Sequence, residues 1–125
     1  LVWVAWGGGT GAWGGLAGGG GVDPGLTREY IYAGRGAYAG GLDPARPELW
    51  PLVADLAGLP PTLIQVGTHE ILFSDAERLA ERMNAAGTEC RLEVWEGMWH
   101  DFQMYPSKSA SQAMQNAAHF LIEEL

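Results

Sequence analysis

The 125-residue chain is poor in cysteine, in positive charge and in long apolar runs, and each shortage excludes something. Cys90 stands alone, so no internal disulfide can form, and no Cys/His spacing has the form of a zinc site. Seven basic against fifteen acidic side chains give a formal charge of −8, which repels phosphate backbones and anionic lipid surfaces. Nucleic acid is therefore a poor partner. No stretch approaches the ~18 apolar residues of a membrane span, and the N-terminus lacks the basic region and cleavage pattern of a signal peptide. A soluble protein is expected, with the cytoplasm favoured.

Glycine is abundant but unevenly placed. Fifteen of nineteen glycines lie in the first forty-one residues and ten of them within residues 7–21, so composition changes at about residue 22. A tract such as Gly18-Gly19-Gly20-Gly21 has no side chains to bury and much backbone entropy to lose, so 7–21 is expected to be loop. Before it, residues 1–6 (Leu-Val-Trp-Val-Ala-Trp) form an apolar run of the kind found in a buried parallel strand. The hydrophobic fraction of 47% and charged fraction of 18% are those of a packed globular domain or a piece of one.

Residues 27–39 carry a helical pattern weakened by Gly34 and Gly36, and a mostly irregular connection follows, bracketed by Asp43-Pro44-Ala45-Arg46-Pro47 and Pro60-Pro61. The ordered core is expected after Pro61. Residues 62–66 (Thr-Leu-Ile-Gln-Val) read as a strand, and Ser74-Asp75-Ala76-Glu77 as a capping box opening a helix. Leu79, Ala80, Met83 and Ala86 mark its buried stripe, with Gly87 as its C-terminal cap. Residues 90–95 alternate, with Cys90, Leu92 and Val94 on one face, as in a strand near a sheet edge. A second capping box, Ser109-Ala110-Ser111-Gln112, opens a last helix whose buried stripe is read as Met114, Ala117, Ala118, Leu121 and Leu125. Strand, helix, strand, helix at this spacing implies an α/β fold with parallel strands, and divides the chain into 1–61 and a βαβα part at 62–125.

Reactive groups in open parallel sheets gather at the carboxyl ends of the strands. Two loops leave such ends here: 67–73, with His69 and Glu70, and 97–102, with Trp99 and His100. A carboxylate followed thirty positions later by a histidine is the acid-then-base order of α/β-hydrolases, in which the acid fixes the tautomer of the base. The chain also contains Asp23-Pro24-x-Leu26-Thr27, Leu42-Asp43-Pro44, Ala54-Asp55-Leu56-x-Gly58-Leu59-Pro60-Pro61, Leu63-Ile64-Gln65-Val66-Gly67, Arg78-Leu79-Ala80, Leu92-Glu93-Val94-Trp95 and Gly97-Met98-x-His100-x-Phe102. In combination these resemble the bacterial hormone-sensitive-lipase family of serine carboxylesterases, over residue 22 to the C-terminus.

The resemblance implies the C-terminal part of an α/β-hydrolase fold, and a carboxylic ester hydrolase working through an acyl-enzyme without a cofactor on a small-molecule ester. Residue by residue, it puts the family's acid on Glu70, where most members have aspartate, and its base on His100. Asp75 is the alternative acid, although a carboxylate in the first turn of a helix is already accounted for by the helix dipole. Trp95 and Trp99 are candidates for the substrate pocket, Trp50 for packing under a cap. His69 and His119 are expected to face solvent and Cys90 to be an inert strand residue.

The departures are as definite. No G-x-S-x-G elbow occurs in the 125 residues, so no nucleophile is recognised, and the glycines that follow a histidine to build the family's oxyanion hole are also missing. The family's usual strand-end and cap-hinge sequence is replaced by the Gly/Ala/Trp stretch 6–21. A formal G-x-G-x-x-G match at 9–14 is what ten glycines in fifteen positions produce by chance, and no helix is expected after it to receive a phosphate. The alternative to an esterase part is a non-catalytic α/β fragment or interaction module lacking the nucleophile.

Overall fold

The computed structural model describes residues 23–43 and 46–124. The expected strand at 1–6, the glycine-rich loop and the G-x-G-x-x-G match lie outside them, as does Leu125. The described chain runs α1 (Arg28–Ala39), a 3₁₀ turn (Pro51–Val53), β1 (Thr62–Gly67), α2 (Phe73–Ala85), β2 (Cys90–Trp95), a second 3₁₀ turn (Phe102–Met104) and α3 (Lys108–Glu123).

α1 forms across Gly34 and Gly36 because both ends and one face are held. Thr27 is extended and its Oγ1 accepts the Tyr30 N–H at 3.3 Å, while Gly40 stops the helix in the left-handed region at φ 56°. Leu26 and Ile31 bury against Ile71 and Leu72, which offsets the cost of the two glycines.

β1 and β2 pair in parallel, in register from Thr62 opposite Cys90 to Gly67 opposite Trp95. One face of the pair packs on α2 and on the 50–56 segment: Ile64, Leu79, Ala80, Met83 and Cys90 share a core with Leu52 and Leu56, and Trp50 and Leu92 close it. Packed core therefore starts upstream of Pro61, because Leu52 and Leu56 reach back under the sheet. Trp50 belongs to this core. The other face meets α3, and it is largely polar. Gln65 Nε2 donates to Ala113 O at 2.8 Å and to Glu93 Oε2 at 3.0 Å, and Asn116 donates to both Glu93 oxygens. Arg91 pairs with Glu93 at 3.0 Å. Glu93, on the charged side of the β2 alternation, is thus satisfied beneath a helix, while Arg91 and Val94, the latter expected on the apolar side, are exposed.

Both capping boxes are corrected. α2 begins at Phe73 with Leu72 in the N-cap position and no side-chain cap, and the Ser74 hydroxyl is buried without a partner among the described residues. Burying Ile71 and Leu72 and continuing the tight turn that carries Glu70 into the helix, with Phe73 N–H bonded to Glu70 O, outweigh one hydroxyl cap. α3 is capped by Ser107, whose Oγ accepts the Ala110 N–H at 3.0 Å, two residues before the expected Ser109. Its buried positions are Ala110, Ala113 and Phe120. Met114, Ala118 and Leu121 are exposed. The apolar periodicity allows either stripe, and the sheet selects the one whose small residues let the helix backbone reach Gln65. At the far end of α2 the expected Gly87 cap is present at φ 80°, with Thr88 N–H bonded to Met83 O and Gly87 N–H to Asn84 O.

Candidate active site

The loops at the carboxyl ends of β1 and β2 are stitched to each other by continuing the sheet's hydrogen bonding. Thr68 N–H donates to Trp95 O at 3.0 Å, His69 N–H to Met98 O at 2.9 Å, and Gly97 N–H to Thr68 Oγ1 at 2.9 Å. Gly67 lies at the closest approach. A Cβ there would sit on the Met98 carbonyl, so no other residue fits without moving backbone.

From this junction Glu70 and His100 meet. His100 Nδ1 and Glu70 Oε1 are 2.8 Å apart, with side-chain exposures of 17% and 7% respectively, so the bond is shielded from competing water. The second Glu70 oxygen, Oε2, accepts the Gly67 N–H at 3.1 Å, and the Glu70 N–H itself donates to Gly67 O. The carboxylate is therefore held at both oxygens, one of them directed at the ring. The second imidazole nitrogen, Nε2, points the other way, with Asp101 Oδ2 at 3.5 Å. Burial pulls the His100 pKa down, but the Glu70 hydrogen bond and the charges of Glu70, Asp101 and Asp23 outweigh it, so the imidazolium is favoured above the ordinary histidine range.

Asp75, the alternative acid, is not brought to the histidine. It is buried in the first turn of α2 and pairs with Arg78 at 3.4 Å, and desolvation raises its pKa against the partial opposition of that arginine. Trp99 is half-buried beside His100, on the Phe102, Ala110 and Ala113 cluster and edge-on to Tyr105 with centroids 5.7 Å apart. Trp95 packs against Phe102 in the same cluster, partly buried, with its Nε1 buried and unpartnered among the described residues. His69 and His119 are exposed. Cys90 is buried, and burial pushes its thiol pKa up, away from nucleophilic use. Among the described residues no three His, Cys, Asp or Glu gather to hold a metal, and no helix is long and apolar enough to cross a membrane.

Two residues at the site had no role assigned from sequence. Asp23 Oδ1 accepts the N–H groups of Gly25 and Leu26, and its Oδ2 accepts the Ile71 N–H at 3.3 Å, which ties the segment before α1 to the loop bearing Glu70. The Asp-Pro-Gly run signals the local turn. Nothing local signals the 48-residue reach to Ile71. Asp101 is the only non-glycine residue at positive φ among the described residues, at 55°.

Residues 18–104 match a family model described as the alpha/beta hydrolase fold. An esterase of Acinetobacter venetianus is 39% identical over 98 residues, 76% of this chain and 32% of that protein, and an acetyl-hydrolase of Streptomyces hygroscopicus is 44% identical over 68 residues, 54% and 23%. The chain thus spans about a third or less of the curated relatives it matches. The crystal structure of an esterase from the bacterial hormone-sensitive lipase family superposes with a TM-score of 0.88 at 34% identity, covering 98% of this chain and 41% of that one. By sequence match and by shared architecture, the chain belongs to the α/β-hydrolase fold family, in its bacterial hormone-sensitive-lipase branch.

Proposed function

We propose that this chain supplies the acid, Glu70, and the base, His100, of a serine-type triad to a carboxylic ester hydrolase. The observation that carries the reading is the shielded 2.8 Å contact between Nδ1 and Oε1, made from two loops at the same edge of a parallel sheet. Glu70 holds the proton on Nδ1 and steadies the imidazolium. Nε2 is left to take the proton of a nucleophile hydroxyl as that oxygen attacks the ester carbonyl, and to return it to the departing alkoxide. The acyl-enzyme is then cleaved by water activated at the same nitrogen. That one relative is named an esterase and another an acetyl-hydrolase supports a small-molecule ester with a short acyl group as the substrate.

The nucleophile and the oxyanion donors belong, on this reading, to the two thirds of the relatives' length that this chain does not cover. No cofactor is needed. Trp99, next to His100 in the base loop, would border the substrate pocket. The missing G-x-S-x-G favours a second reading, a non-catalytic α/β module, and the gene sequence adjoining this segment separates the two. The deciding experiment is kcat on p-nitrophenyl acetate for His100→Gln and Glu70→Gln in the whole protein. Turnover must collapse in the first and fall steeply in the second; wild-type rates in both would sink the triad.

A further inference from the structure

Asp101 combines two features, a left-handed backbone and a contact with the His100 ring. Its backbone lies in the left-handed region at φ 55°, where glycine is at home and a side chain costs energy, although Asp and Asn tolerate it better than other residues. Its half-exposed carboxylate lies 3.5 Å from Nε2 of His100, on the side opposite Glu70. The same residue starts the 3₁₀ turn that buries Phe102, with Met104 N–H bonded to Asp101 O at 2.9 Å, so the backbone there is set by the turn and not by solvent. A glycine would serve the turn at lower cost. Strained positions retained at reacting centres point to a role for the side chain.

We propose that Asp101 is a positioning residue for His100, a second carboxylate that holds the ring from its reacting nitrogen and sets the pH at which the base becomes free. The inference rests on the triad reading, which makes Nε2 the reacting nitrogen, while the contact itself is tested by the titration of His100 without reference to turnover. Three carboxylates act on the ring: Glu70 from the loop after β1, Asp101 from the loop after β2, and Asp23 from the segment before α1. Of these only Asp101 lies at Nε2. It favours the imidazolium, which cannot accept a proton, so activity on the acid side is withheld until the ring is neutral.

The test is the titration midpoint of His100, read by imidazole NMR on the whole protein, with His100→Gln identifying the resonance. Asp101→Asn keeps a residue that accepts left-handed backbone and removes the charge; Asp101→Gly removes charge and strain together. Both midpoints should fall by about 0.2–0.7 pH units, the range set by weak, half-exposed ion pairs. An unchanged midpoint in Asp101→Asn overturns the proposal, whatever Asp101→Gly does, since a shift in the glycine variant alone would come from the backbone. In the same variants the acid limb of kcat/KM should move to lower pH with the midpoint. A midpoint that moves while the limb stays leaves Asp101 in its place and counts instead against His100 as the base.

Discussion

Glu70 and Asp75 are five positions apart, both buried, and the fold uses them differently. Glu70 has a backbone N–H on one oxygen and an imidazole on the other, so Glu70→Gln keeps the shape of the loop and removes the charge that steadies the imidazolium. The expected loss in kcat approaches ~10⁴-fold, the size known for the equivalent change in serine proteases. Asp75→Asn should leave kcat on the same ester close to wild type. Its signature is in stability. A carboxyl whose folded pKa is raised binds its proton more tightly in the folded state, so its contribution favours folding at low pH and fades as pH rises through the raised value. Thermal melting from pH 4 to 8 should therefore show Asp75→Asn losing less stability than wild type over that rise. A steeper loss would mean that the pair with Arg78 outweighs desolvation. His100 also has a raised value, so its own stabilisation is full below the ordinary histidine range and is likewise lost as pH rises.

At the scale of elements, the junction of β1 and β2 and the two helix starts carry the predictions. Gly67→Ala would place a methyl on the Met98 carbonyl and pry the two loops apart. It should lower stability by about 1–3 kcal/mol and cost activity as well, since Gly67 N–H also anchors Glu70. Melting and kcat measured together would show it, and a fully stable, active alanine variant would mean that the loops are not in contact there. The serines at the helix starts should behave in opposite ways. Ser107→Ala removes the cap of α3 and should cost about 1 kcal/mol, whereas Ser74→Ala removes a buried hydroxyl with no partner among the described residues and should be neutral or stabilising. Equal losses by chemical denaturation would restore the capping box read from the sequence. That box failed because its four residues describe a helix start in isolation, whereas Ile71 and Leu72 must also be buried.

For the whole molecule, the described part of the sheet is two strands wide, and Val94, Met114, Leu121 and Ile122 stand exposed. The 125-residue chain expressed by itself should therefore self-associate, and sedimentation at a concentration on the order of tens of micromolar should show species larger than a monomer. It should also have no saturable activity on p-nitrophenyl acetate, because on the proposed reading it holds a base and an acid without nucleophile or oxyanion donors, which retain little catalysis. Turnover abolished by a serine-directed phosphonate would contradict this.

The sequence by itself determined what short-range rules can carry. The apolar runs at β1 and β2 differ in period from the helices, Gly87 ends α2 where glycine is needed, and the order of Glu70 and His100 after successive strands follows from their positions in the chain. Only the tertiary structure decided the rest. Which of two helical stripes on α3 is buried depended on the polar face of a sheet more than ten residues away, and where α2 begins depended on the burial of the residues before it. Asp23 reaches Ile71, and Asp101 reaches Nε2 through a backbone turn that the residue type permits but does not signal. Local patterns constrain each segment's conformation. Contacts between segments are chosen by burial and hydrogen-bond satisfaction summed over the whole fold, and no window of sequence contains that sum.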